Sequence, residues 1–130
     1  QTLCGFLDSL HSTGVAVNLD PANLVMVTGD DPVRAVHTLK KYIVHTHAKD
    51  GRKLFDKDPE LIYGIAFEDA VTDAAFIELP LGEGDVPFDR YLQALRDIGY
   101  KGFLTIEREV GPDPAADITK AIHFLRAHIN

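Results

Sequence analysis

The chain reads as an α/β protein built on parallel strands. Two observations predict this. Helical and strand patterns alternate along 130 residues, which implies right-handed crossovers between parallel strands. The three strand segments, VAVNLD, YIVHTH and FLTIE, are also largely apolar, as expected of strands covered on both faces.

The elements follow in order. Leu3, Phe6, Leu7 and Leu10 have the i, i+3, i+4, i+7 spacing of one helical face, ending near Ser12–Gly14. Val15–Asp20 is a short strand stopped by Pro21. Asp31–Pro32 reads as an N-cap followed by proline at the first helical position, and Val33, Val36 and Leu39 carry that helix to about Lys41. Tyr42–His47 is the second strand. Residues 50–80 mix Gly, Pro and charge around LIYGIAF, and are expected to form a long loop with one short helix. Phe88, Tyr91, Leu92, Leu95 and Ile98 make a clear helical stripe closed by Gly99. Phe103–Glu107 is the third strand. Asp113–Pro114 repeats the cap-and-proline start of a last helix carrying Ile118, Ala121, Ile122, Leu125 and Ile129.

Composition narrows the function. A net charge of −7 argues against nucleic acid as a main partner, because phosphate binding needs a basic face. No apolar run approaches a membrane span. The single cysteine, Cys4, forms no internal disulfide and fits a reducing, cytoplasmic compartment. GEG at 82–84 lacks the strand-turn-helix setting of a dinucleotide motif.

The strand ends carry the chemistry. The three predicted strands finish in Asp20, His47 and Glu107. In parallel α/β architectures those ends share one rim. Two carboxylates and an imidazole suit a divalent ion such as Mn²⁺, Mg²⁺, Co²⁺ or Zn²⁺ with positions open to substrate oxygens. His45 shares a face with His47, one step deeper. Lys49 is placed to contact an anionic or hydroxyl-rich substrate. Asp50 either meets a ligand or closes the turn, and Arg52 and Lys53 either bind a substrate phosphate or are solvated loop charges. Each signal also has a plain structural reading. Asp20 before proline suits a turn, a lone histidine is usually structural, and Glu107 suits a solvated strand end beside an Arg108–Glu109 ion pair.

HTHAKDG after a strand, PLGEGDVPF before a helix, and IGYKGFLTIERE before the last helix together resemble the xylose isomerase-like TIM barrels, and within them the sugar phosphate isomerase/epimerase family. The resemblance covers nearly the whole chain, most weakly over 51–78. It implies that Asp20, His47 and Glu107 are three of four metal ligands and that Glu107 is also an acid/base carboxylate. The fourth ligand, a glutamate ending an earlier strand, would fall before Gln1. A (β/α)₈ barrel takes about 250 residues, so residues 1–130 are expected to be the last three strands of such a barrel, covered by a missing N-terminal half or by a second copy. The implied activity is metal-dependent isomerisation or epimerisation of a small sugar or sugar phosphate. The alternatives are a dehydratase, lyase or hydrolase on the same barrel, or a non-catalytic half-barrel.

Overall fold

The computed structural model describes residues 2–66, 73–108 and 111–129. Its centre is a parallel three-stranded sheet in the order β1-β2-β5, from β1 (Val17–Leu19), β2 (Ile43–Ala48) and β5 (Leu104–Ile106). The helices α1 (Thr2–Leu10), α3 (Pro32–Leu39), α5 (Phe88–Asp97) and α6 (Pro114–Ile129) connect and flank these strands. The α/β class, the parallel pairing and the strand locations agree with the sequence reading, and no closed barrel forms among the described residues.

The caps explain where helices start. Asp31 accepts a hydrogen bond from the Val33 N–H at 2.9 Å, and Asp113 accepts one from Ala116 at 3.0 Å. Gly99 ends the α5 stripe at φ 72°, a conformation that costs glycine little. The core lies between sheet and helices, where Val17 and Leu19 pack with Val36, Leu39, Tyr91, Leu92 and Leu95. Thr46, fully buried, donates to the Leu19 carbonyl at 2.7 Å and also meets the Tyr91 hydroxyl, tying β2 to β1 and to α5.

Three local features refine the sequence reading. Pro21 does more than stop a strand. It opens the short helix α2 (Pro21–Asn23), which continues as a π-type turn over Leu24–Thr28. The apolar stripe of α1 buries only Leu7, because nothing among the described residues covers Leu3, Phe6 or Leu10.

The third concerns residues 50–80, where the expected short helix is present but two strands flank it. β3 (Asp50–Lys53) pairs antiparallel with β4 (Phe76–Leu79), and α4 (Pro59–Ile62) lies between them. The DGRK strand is polar and escapes a hydrophobic pattern. It forms because Gly51 lets the backbone pass close to Met26 and to Ile77, where a Cβ would sit 2.2 Å from the Met26 sulfur. Phe67, the last residue of LIYGIAF, lies outside the described residues.

Candidate metal centre

Backbone geometry brings the three strand-end residues together. Asp20 follows β1 and caps α2. Its Oδ1 accepts the Ala22 and Asn23 N–H groups at 2.9 and 3.0 Å, which turns Oδ2 towards β2. There Oδ2 lies 3.4 Å from His47 Nδ1. From the far side, Glu107 Oε2 lies 2.5 Å from the same nitrogen. The Glu107 backbone is held by its N–H bonding the Ala48 carbonyl at 3.2 Å, which continues the β2–β5 ladder by one residue. One ligand atom from each of Asp20, His47 and Glu107 fits within a mutual 4.8 Å, and all three residues are partly exposed. This is the cluster that the strand-end argument predicts.

The donor set fits a divalent cation. Ligands on a common ion at about 2.1 Å stand about 3 Å apart, close to the 3.4 Å between Asp20 and His47. The His47–Glu107 contact is closer still, at 2.5 Å. The other face of the imidazole is also held, with Asn18 Nδ2 at 3.0 Å from Nε2. Sequence reasoning missed Asn18. Alternation from Asp20, two residues on, is the signal that would have found it.

Lys49 lies beside the cluster. Its side chain is 5% exposed, with Nζ 2.9 Å from Glu78 Oε1 and 3.9 Å from Glu107 Oε2. Burial pulls its pKa down, but the hydrogen bond and charge of Glu78, reinforced by Glu107 and Asp20, outweigh that and leave it raised. Glu78, on β4, was invisible to the sequence reading because β4 itself was. Arg108 sits on the far side of Glu78. Its Nη1 is 3.5 Å from Glu78 Oε2, a charge contact without hydrogen-bond geometry, and its Nε donates to Asp117 at 2.9 Å. Glu109, the expected partner of Arg108, lies outside the described residues.

The remaining expected residues are placed as follows. His45 Nε2 bonds the Thr105 hydroxyl at 2.8 Å, and its ring meets His47 edge-on at 6.0 Å. It is thus one step beneath His47. Asp50 is 1% exposed and closes a turn: Oδ1 accepts the Gly51 and Val86 N–H groups, and Oδ2 those of Gly82 and Gly84. Of its two sequence alternatives, this geometry leaves no oxygen facing the cluster. Burial raises its pKa, and the four backbone donors offset only part of that. Arg52 pairs with Asp85 at 3.0 Å and Lys53 with Asp56 at 2.5 Å, so neither makes a described contact with Asp20, His47 or Glu107.

The family of xylose isomerase-like TIM barrels matches this chain over residues 2–128. The chain belongs to that family. A solved structure, a xylose isomerase domain protein from Planctomyces limnophilus, superposes with a TM-score of 0.76 at 30% identity, over 97% of this chain and 42% of that one. Among curated relatives, the rhizopine catabolism protein MocC of Rhizobium meliloti is 38% identical over 95 residues, which is 72% of this chain and 28% of MocC. Inosose dehydratase of Lacticaseibacillus casei is 29% identical over 119 residues, 89% of this chain and 39% of that enzyme. L-ribulose-5-phosphate 3-epimerase UlaE of Shigella flexneri is 39% identical over 56 residues, 42% of this chain and 20% of the epimerase. The chain therefore spans well under half the length of the proteins it resembles. Two of these relatives are named as enzymes, a dehydratase and an epimerase.

Proposed function

We propose that the protein acts on a small sugar or sugar phosphate, isomerising or epimerising it by proton transfer at the carbon beside a carbonyl, with a divalent metal ion held by Asp20, His47 and Glu107. The observation that carries this reading is the convergence of these three side chains, from three separate strand ends, within 4.8 Å.

A bound divalent ion would supply Lewis acidity at adjacent substrate oxygens. The rest is the work of this chain. Glu107 is the carboxylate that takes or returns the proton, because it stands beside His47 and Asp20 at the end of its strand. Asp20 and His47 fix the position of the substrate oxygens relative to Glu107. Lys49 places a fixed cation within 3.9 Å of Glu107 and favours electron-rich substrate oxygens there. His45 and Thr105 line the same sheet face one step below and are placed to meet hydroxyls. The charges of Arg52 and Lys53 are matched by Asp85 and Asp56, so phosphate recognition is not assigned to them.

A second reading has its own support. The similarity to an inosose dehydratase extends over 89% of this chain. Dehydration of a cyclic polyol ketone begins with the same proton abstraction beside a carbonyl and then expels the hydroxyl one carbon further on as water. One experiment separates the two. The full-length protein is incubated with Mn²⁺ and a panel of ketoses, ketose phosphates and inososes in D₂O, and followed by NMR. Deuterium beside the carbonyl with an epimer or aldose as product supports the first reading, and a product lighter by one water supports the second. Glu107→Gln is expected to abolish exchange in either case. Absence of exchange with every substrate class would overturn both.

A further inference from the structure

Next to the proposed metal ligands lies a charge arrangement that the function given to Lys49 leaves unexplained. Lys49, buried, stands between two carboxylates at unequal distances, Glu78 at 2.9 Å and Glu107 at 3.9 Å. Glu78 is buried as well, its side chain 6% exposed, and its second oxygen faces Arg108, itself anchored to Asp117. Charges alternate from Asp117 through Arg108, Glu78 and Lys49 to Glu107.

A buried ammonium needs a close anion, and losing that anion is costly. Among the described residues, two carboxylates compete for this one. If Glu107 were the nearer, its Oε2 would be engaged by the lysine and drawn from His47, and a metal ion would have to displace a cation to use it. Glu78 prevents this by holding Lys49 on its own side. The fold keeps Glu78 in place for this. It lies on β4, in register with Gly51 of β3, and Arg108 restrains it from behind.

We infer that Glu78 is a positioning residue that restrains Lys49 and so keeps the ligand oxygen of Glu107 available to the metal ion. This rests on the reading of Asp20, His47 and Glu107 as a metal site. The chemistry is specific. Glutamine at 78 keeps the volume and a hydrogen-bond acceptor but removes the charge that competes with Glu107.

The test is Mn²⁺ binding to the full-length protein, measured by competition with a chelator and needing no turnover. Glu78→Gln is expected to weaken Mn²⁺ by about ten-fold, the usual scale for a residue behind a metal ligand. Adding Lys49→Met to that variant removes the displaced cation and is expected to return affinity to within about three-fold of wild type. Circular dichroism showing Glu78→Gln fully folded under the binding conditions separates restraint of Lys49 from a loosened β4, which would lower affinity only through unfolding. An unchanged affinity in Glu78→Gln, or a double variant weaker than the single one, overturns the inference while leaving the metal site standing. Failure of the wild type to bind Mn²⁺ overturns the metal reading itself and this inference with it. Should Glu78→Gln not fold, the neutral pair carries the test against wild type, and weaker binding by that pair counts against the restraint.

Discussion

Asp20 divides two roles between its oxygens, one capping α2 and the other facing His47. Substitutions can separate them. Asp20→Asn keeps an acceptor for the cap and is expected to leave the melting temperature nearly unchanged while weakening Mn²⁺ binding sharply. Asp20→Ala loses the cap as well and should cost about 1 kcal/mol more in stability, read by chemical denaturation. Equal melting temperatures for the two variants would refute the division. Tyr91 makes a different prediction. Its buried phenol, bonded to Thr46, has a pKa raised well above the ordinary 10.0, mainly by burial. The unfolded chain loses this proton near pH 10 and the folded chain only above that. The stability contributed by the neutral phenol is therefore complete below pH 10.0 and declines as pH rises towards the folded value. Tyr91→Phe should flatten this alkaline decline in denaturation curves measured from about pH 9 to 12, at a cost of about 1 kcal/mol at neutral pH.

Between elements, the loop after β4 is shaped by Asp50. Its four backbone hydrogen bonds explain why the PLGEG segment is rich in glycine. A Cβ on Gly84 would lie 2.1 Å from Asp50 Oδ1 and 2.6 Å from the Gly51 nitrogen, both held in place. Gly84→Ala should therefore destabilise by about 1–3 kcal/mol, whereas Gly64→Ala meets no atom within 4 Å and is strained only by its positive φ of 66°. The larger loss at Gly84 in a thermal melt is the expected result. The same loop marks the limit of sequence reading. α3 and α6 were legible because an Asp-Pro cap opens an apolar stripe, α5 because its apolar stripe is closed by Gly99, and β2 because it begins with the apolar run Tyr42–Val44. β3 was not, because Asp50, Arg52 and Lys53 carry no strand preference and its conformation is set by contacts with Met26, Ile77 and the 82–86 backbone. The candidate ligands Asp20, His47 and Glu107 could be picked out because each ends a recognisable strand. Asn18 was within reach by alternation from Asp20 on a recognised strand, whereas Glu78 was not, lying on an unrecognised one.

At the scale of the molecule, the parallel sheet has β1 and β5 as its edges. Both flanks expose apolar side chains. Leu3 and Phe6 of α1 are 47% and 57% exposed, with Val15 at 43% before β1, and on the other side Phe103 is 80% exposed. Val17, by contrast, is already buried within the chain at 7%. The strand edges add unpaired backbone N–H and C=O groups, which template pairing with another strand. Charged edge residues and bulges that would discourage this are scarce on β5, whose sequence is LTI. Protein comprising these 130 residues alone should therefore self-associate with rising concentration and bind a hydrophobic dye while still folded. Light scattering on a dilution series measures the first and fluorescence titration the second. Phe6→Glu and Phe103→Glu each place a charge on one flank. If both flanks are used, either change should reduce the associated fraction, and the two together should reduce it further than either alone. A monomer that binds no dye at high concentration, or association indifferent to both substitutions, would mean that these faces are not what the molecule uses to cover its open sheet.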